Sequence, residues 1–309
     1  MVNAQGNGAE SLMQRLCELL KPVRPVPIIG NNPHWIARFH ELRHEKHLLE
    51  NNRDKEPSSL PTSPKNGGKE SQRCLKAQAD RWYPDLREQN TTKEASMGGK
   101  PVILLDDGGV MNDTRLRGPQ YQRLAGEFFA SQLGGESRAW AEANRICIAS
   151  IFEPESWRRR VQAAVQDYAS FERTYWRDWV SGMCQLVGVA APPEAASIEL
   201  ACQAETYITC RVHSAFPGAI EAIGELHTQG YTLHTASGAH SLSLHGYLQA
   251  MGVREYFGRL YGSDLLEMLK VTPTYYERLF ADAQIAPGDA LIVDDSPRVL
   301  AWARDFFHG

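Results

Sequence analysis

Pairs of carboxylates follow two short apolar runs of the chain. The segment "PVILLDD" ends in Asp106 and Asp107, and "ALIVDD" ends in Asp294 and Asp295. Short apolar runs of this kind are typical of strands buried on both faces of a parallel sheet. The carboxyl ends of such strands share one edge of the sheet, and ligands bind at that edge. Carboxylates that lie far apart in the chain are therefore expected to meet in one crevice.

Clustered carboxylates at such an edge could support metal and phosphate chemistry. Carboxylate and carbonyl oxygens are the ligands that Mg²⁺ prefers, and an aspartate can attack phosphorus to form a covalent intermediate. The phosphoryl oxygens then need a positive charge, for which Lys270 in "LKVTPTYYERL" is a candidate. Thr235, at the end of another apolar run, offers a hydroxyl. Each residue also has an ordinary structural interpretation, as a turn or cap residue, a surface lysine or a satisfied hydroxyl. Their joint order along the chain favours the functional interpretation.

The predicted strands and helices that carry these residues begin near residue 97. Four strand-like runs alternate with helical patterns between residues 97 and 309, and a long helix-rich stretch from Thr114 to Val212 has no clear strand. Such alternation implies right-handed crossovers and a parallel sheet covered on both faces. We therefore predict an α/β fold with a helical insertion after the first strand.

Residues 1–96 are predicted to be an N-terminal extension without a catalytic role, which makes Met97 a possible functional start. Two helices are predicted before residues 51–73, a polar segment with a single leucine that is expected to be a disordered linker. His40, His44 and His47 share one face of the second helix. They could bind a metal or form a solvated polar face, and the latter is favoured because no fourth ligand is evident.

Composition excludes several classes of protein. The net charge of −4 over 309 residues gives no nucleic-acid signal. No apolar run approaches about 18 residues, so no membrane span is expected, and no secretory signal is visible. The six cysteines form no CxxC pair, which favours reduced thiols in a cytoplasmic setting over a zinc site.

The motifs resemble those of the haloacid dehalogenase-like (HAD) superfamily. "ILLDDGGVMNDT" is similar to motif I, "FPGAIEAIGELHTQGYTLHTASG" to the motif II segment, "KVTPTYY" to motif III and "LIVDDSPRVLAWAR" to motif IV. The resemblance covers residues 97 to 309. It implies a Rossmann-like, doubly wound parallel sheet (residues 97–114 and 213–309) with an inserted α-helical cap domain (residues 115–212). The family usually has one more strand after the last helix seen here, so we expect that strand to be absent or the chain to be shortened.

The resemblance also implies roles for individual residues. Asp106 takes the position of the nucleophile, and Lys270 that of the catalytic, phosphate-binding lysine. Mg²⁺ would be bound by Asp106, by the Gly108 carbonyl, and by Asp294 and Asp295. The substrate-binding positions that it implies are Thr235, Ala236, Ser237 and Lys270.

One position departs from the pattern of the family's phosphatases. These enzymes usually carry a second Asp, the general acid/base, where this chain has Gly108. Its carbonyl can still hold Mg²⁺, but protonation of the leaving group is placed in doubt, a contribution of about 10²–10⁴-fold. Asp107 is adjacent but should point away, because side chains alternate along an extended strand end.

We therefore expect a Mg²⁺-dependent phosphatase that acts on a small phosphorylated metabolite. A 2-haloacid dehalogenase is the alternative enzyme: that branch also lacks the acid/base Asp but does not use Mg²⁺. A catalytically weak or inactive scaffold with a binding or regulatory role is the third possibility.

An aromatic stripe in the predicted cap is interpreted as cap core rather than as a substrate wall. Arg158, Arg159 and Arg160 are interpreted as a solvated helix face rather than as an anion site. The substrate and the oligomeric state are left open. The stripe comprises Trp157, Phe171, Tyr175, Trp176 and Trp179.

Overall fold

The computed structural model of the protein describes residues 100–307, with side chains described up to residue 302. The predicted extension 1–96, including its histidines and its linker, lies outside the described residues. Within the described part the fold is α/β and Rossmann-like, as predicted, with a four-stranded parallel sheet in the order β3-β2-β1-β4. The strands are β1 (Val102–Leu105), β2 (Leu233–Ala236), β3 (Phe257–Tyr261) and β4 (Ala290–Val293).

Helices cover both faces of the sheet. Six helices lie between β1 and β2, and the first five of them form an insertion. We refer to residues 114–209 as the helical insert. Its helices are α1 (Thr114–Leu133), α2 (Ser137–Ile151), α3 (Pro154–Gln166), α4 (Tyr168–Val187) and α5 (Glu194–Thr209). The remaining helices are α6 (Ala219–Thr228), α7 (Ser241–Met251), α8 (Thr274–Ala283) and α9 (Pro297–Phe307).

The alternating side chains of β1 separate two cores. Ile103 and Leu105 are fully buried against residues of α6 and α7, whereas Leu104 is fully buried against residues of α8 and α9. A strand that is apolar on both faces suits this position, because both faces are covered by helices. The helical insert has its own core, in which Trp140 and Trp179 are almost completely buried.

The strand register brings the predicted site residues to one level. Leu105 of β1 lies opposite Thr235 of β2 and opposite Val293 of β4. The next residue of each strand therefore lies at the carboxyl edge of the sheet. These residues are Asp106, Ala236 and Asp294. Within residues 100–307, no helix combines the length and the apolarity needed to cross a bilayer.

Candidate active site

The loop after β1 is fixed by its own hydrogen bonds. The Asp106 N–H continues the strand ladder by donating to the Val293 carbonyl at 3.0 Å. The chain then turns back, and the Asn112 N–H donates to the Asp107 carbonyl at 2.9 Å. The Asn112 amide also donates to Asp107 Oδ1 at 2.8 Å and accepts from the Ser214 hydroxyl at 2.9 Å. The two glycines therefore do not leave the loop free to move, because Asp107 and Asn112 close it.

Asp107 faces the helical insert. Its side chain is 2% exposed and pairs with Arg117 of α1, with Nη2 2.7 Å from Oδ2. The Arg117 guanidinium also lies over the ring of Tyr247 on α7, at 4.0 Å from the ring centroid. This ion pair and the ring contact connect the loop after β1 to both the helical insert and the sheet domain.

Three carboxylates converge at the sheet edge. Oxygens of Asp106, Asp294 and Asp295 all lie within 4.8 Å of one another, and Asp294 is 1% exposed, with Oδ1 accepting the Ser296 N–H at 2.8 Å. Burial and the charges of Asp106 and Asp294 raise the pKa of Asp295 to about 7, and burial also raises the pKa of Asp294. Three adjacent anions with little solvent repel one another, so this arrangement suits a divalent cation.

Lys270 is the positive charge next to these carboxylates. Its Nζ lies 2.5 Å from Asp294 Oδ2 and 3.4 Å from Asp106 Oδ1, and it donates to the Ala236 carbonyl at 2.6 Å. Burial opposes its protonation, but the nearby carboxylates outweigh burial and hold the pKa of Lys270 well above its ordinary value. The ammonium group is therefore cationic, and it is held between the predicted nucleophile and a predicted metal ligand.

The predicted motif II residues contribute in different ways. Thr235 is fully buried on the same face as Leu105, and its hydroxyl donates to the Tyr261 carbonyl at 3.4 Å. Ala236 supplies the carbonyl that holds Lys270. The Ser237 hydroxyl accepts a backbone N–H at 3.3 Å. Phosphate binding by Thr235, Ala236 or Ser237 stays a prediction, and only Ala236 contacts the lysine.

Gly108 lies close to Thr114 and Arg117. A Cβ atom at this position would lie 3.2 Å from the Thr114 methyl group and 3.9 Å from Arg117 Nη1. A side chain at position 108 would therefore start against the Thr114 methyl group and beside the Arg117 guanidinium. Arg117 could not be predicted from the sequence, because Arg115 is an equally plausible partner for a carboxylate of the loop after β1. In the structure Arg115 instead pairs with the helix cap Asp113, and 70% of its side chain is exposed.

Gly109 allows Asp295 to reach the cluster. Its φ is +83°, in the left-handed region, and a Cβ atom there would lie 2.2 Å from Asp295 Oδ2. Any side chain at this position would therefore displace the Asp295 carboxylate as well as strain the backbone.

We expect Gly109→Ala to weaken Mg²⁺ binding by about 10- to 100-fold, the usual cost of displacing a group that orients a metal ligand. Isothermal titration calorimetry with Mg²⁺ measures the affinity. Gly134→Ala is the matched control, since Gly134 has a φ of +79° but no atom within 4 Å of the added Cβ. Equal Mg²⁺ affinities for the two variants would show that the contact between Gly109 and Asp295 is irrelevant to the metal.

A cavity of about 720 Å³ lies between the helical insert and the sheet edge. Lys270 and Arg117 are among its lining residues, so the cavity reaches the two cations that contact Asp106, Asp294 and Asp107. Trp176 and Trp179 belong to the core of the insert and also line this cavity. The aromatic stripe therefore serves as core and as cavity wall at once.

The arginine cluster of the insert is engaged in local ion pairs. Arg158 lies 2.7 Å from Glu155, and Arg160 lies 3.0 Å from Asp178. Neither arginine lines the cavity described above. Arg159 is exposed, but Arg158 and Arg160 are partly buried, so the solvated face stays a prediction.

A family model described as haloacid dehalogenase-like hydrolase matches residues 123–305, which is more than half of the chain. The match contains Lys270, Asp294 and Asp295, and it begins after Asp106. No curated protein matches the chain.

Several solved structures are similar in fold. The L-2-haloacid dehalogenase of Xanthobacter autotrophicus is 15% identical, with a TM-score of 0.41 over 67% of this chain and 74% of that one. A magnesium-bound HAD hydrolase of Bacillus subtilis is 16% identical, with a TM-score of 0.43 over 66% and 83%. A predicted phosphoglycolate phosphatase of Haemophilus somnus is 15% identical, with a TM-score of 0.41 over 69% and 84%. At these values the likeness says nothing about the substrate of this chain.

Proposed function

The chain belongs to the haloacid dehalogenase-like hydrolases, and from this premise we propose that it is a Mg²⁺-dependent phosphatase of a small phosphorylated metabolite. The observation that carries the proposal is the convergence of three carboxylates within 4.8 Å around Asp106, with Lys270 beside them. A cluster of this kind is costly to bury. That cost is offset when a divalent cation binds to the carboxylates, and the cation can then hold a phosphoryl group beside Asp106.

The proposed reaction proceeds in two steps at Asp106. Its carboxylate attacks phosphorus, the bond from phosphorus to the ester oxygen breaks, and an aspartyl-phosphate forms. Water then attacks the phosphorus, which releases inorganic phosphate and regenerates the carboxylate. Lys270, 3.4 Å from Asp106 Oδ1, is placed to stabilise the negative phosphoryl oxygens in both steps. With Gly108 in place of the acid, the departing oxygen takes its proton from water.

The residues at this edge suit Mg²⁺. Asp106, Asp295, the Gly108 carbonyl and Asp294 offer the hard oxygen donors that the ion prefers. Asp294 is already shared with Lys270 and with the Ser296 N–H, so it would also position the lysine. When bound, the ion would neutralise charge on the phosphoryl oxygens.

The test is phosphate release from an activated aryl phosphate and from a panel of sugar and organic-acid phosphates, with Mg²⁺ and with EDTA. We expect Mg²⁺-dependent turnover in the wild type and a loss of about 10⁴-fold or more in Asp106→Asn, because the nucleophile is removed. Asp289→Asn is the matched control, since Asp289 is exposed and precedes the opposite end of β4. If Asp106→Asn retained activity, Asp106 would not be the nucleophile.

A 2-haloacid dehalogenase is the second candidate, and Gly108 is the observation that favours it. In that reaction an aspartate displaces halide from carbon, so no leaving oxygen has to be protonated. Halide release from 2-chloropropionate that is insensitive to EDTA, without phosphate release from any ester, would establish this reaction instead. If neither product formed, a binding or regulatory role on a hydrolase scaffold would be favoured.

A further inference from the structure

Glu205 places a buried carboxylate in the wall of the cavity. It lies on α5, its residue exposure is 5%, and it is one of the lining residues of the cavity beside Lys270. Its two oxygens accept hydrogen bonds from the hydroxyls of Tyr121 and Ser243. These donors satisfy part of its hydrogen-bonding capacity but bring no positive charge.

Each cation near this end of the cavity is engaged elsewhere. Arg117 is paired with Asp107 and Lys270 with Asp294. His240 has its Nε2 3.0 Å from Glu172 and its Nδ1 3.7 Å from Asp264, and although burial opposes its protonation, the nearby carboxylates raise the pKa of this imidazole to about 9. Among residues 100–302, no basic nitrogen comes within 4.0 Å of the Glu205 carboxylate. The His240 charge is shared with Glu172 and Asp264, so Glu205 is a buried carboxylate without an ion pair of its own. Such a group is unfavourable, and a ligand that supplies a positive charge would gain affinity there.

Aromatic rings line the same cavity as this carboxylate. Tyr121, Tyr175 and Tyr247 line the cavity. Tyr121 contacts Glu205 directly through its hydroxyl, and burial followed by the Glu205 charge raises the pKa values of the Tyr121 and Tyr175 phenols. Trp179 adds a fourth ring, 6.4 Å from Tyr121 between centroids. Aromatic faces attract organic cations, and a carboxylate within an aromatic wall suits an alkylammonium group.

We propose that this part of the cavity, formed by Glu205 and the aromatic rings that line it, binds an organic ammonium group, and that the substrate is a phosphate monoester that carries an amine. The ester half of this inference rests on the proposed function. The ammonium site does not, because it is built from residues of the cavity alone.

Binding is tested without turnover by titrating choline and its neutral isostere 3,3-dimethylbutan-1-ol against tryptophan fluorescence, since Trp176 and Trp179 line the cavity. We expect saturable quenching by choline and about tenfold weaker binding of the neutral alcohol. Equal affinity of the two compounds for the wild type, or no binding of choline, would overturn the proposal whatever the variants show.

Glu205→Gln keeps the shape of the side chain and removes its charge, and it should weaken choline binding about tenfold. Glu199→Gln on the same helix is the matched control, because Glu199 is exposed. A purely structural role of Glu205 would lower the melting temperature but would not change the ratio of choline to alcohol affinity. An unchanged ratio in Glu205→Gln would therefore overturn the proposal.

Phosphate release from phosphocholine and from 3,3-dimethylbutyl phosphate separates this inference from the proposed function. We expect the wild type to prefer phosphocholine in kcat/KM by about tenfold and Glu205→Gln to lose the preference. Choline binding with no phosphate release from any ester would reject the phosphatase and keep the ammonium site. Phosphate release with no preference for the cationic ester would reject the amine-bearing substrate.

Discussion

Lys270→Met is expected to lower kcat for an aryl phosphate by about 10²–10³-fold, the usual cost of removing one preorganised electrostatic group. Its ammonium group lies between Asp106 and Asp294, 3.4 Å from Asp106 Oδ1. The substitution therefore removes a positive charge beside the attacking carboxylate. Mg²⁺ binding should persist in this variant, because the carboxylates are retained and less positive charge opposes the ion. Steady-state kinetics and Mg²⁺ titration measure the two effects separately.

The same substitution also removes the partner of a buried charge. Asp294 is 1% exposed, so Lys270→Met should lower the free energy of unfolding in EDTA by about 3–5 kcal/mol. Adding Asp294→Asn removes the orphaned charge and should restore much of that stability, measured by urea denaturation, but not the turnover. Asp294 is also a proposed Mg²⁺ ligand, so the double variant reports on stability alone. If its stability were no higher than that of Lys270→Met, Lys270 would not be the group that neutralises Asp294.

Gly108→Asp combined with Thr114→Ser is expected to raise kcat for alkyl phosphates by about 10²-fold, because it supplies a proton donor to the leaving oxygen. The second change removes the methyl group that would lie 3.2 Å from the new Cβ. The gain should fall at the low end of the usual range, since Arg117 Nη1 lies 3.9 Å from that Cβ and its charge favours an ionised carboxylate. Aryl phosphates, whose leaving groups need little protonation, should change much less.

The matched control is Gly108→Asn with Thr114→Ser, which has the same shape but no acidic proton. The measured quantity is the ratio of kcat for alkyl and aryl phosphates in each variant. An equal rise with Asn and Asp would mean that the side chain at position 108 acts by filling space. No rise with Asp would mean that protonation of the leaving oxygen does not limit the wild type.

The sheet could be predicted from sequence because its signal is local. β1 and β4 are short apolar runs followed by paired aspartates, and the helix before β2 begins next to a Pro-Gly pair. Which side chains lie side by side on neighbouring strands could not be predicted, because this depends on the strand register. Thr235 and Asp106 both lie near strand ends, yet the register places Thr235 one residue lower, beside Leu105.

The charged residues of the cavity were missed because helix faces are chosen by tertiary packing. Arg115 and Arg117 are two positions apart on α1 and therefore point to different sides, and only the docking of the helix decides which one meets Asp107. Glu205 did leave a signal. It falls on the same buried stripe of α5 as Ile198, Ala201 and Ile208, and a glutamate on an apolar stripe indicates a specific partner.

The position of β1 in the middle of the sheet also affects how the chain can fold during synthesis. β1 begins at residue 102, its neighbour β2 begins at residue 233 and its other neighbour β4 begins at residue 290. At about 5–20 residues per second, β1 waits about 10–40 s on the ribosome for its last partner. The helical insert has its own core, so we expect it to fold first. A nascent chain stalled before residue 290 should then hold a folded insert and no metal site, because the acidic residues meet only in the last step.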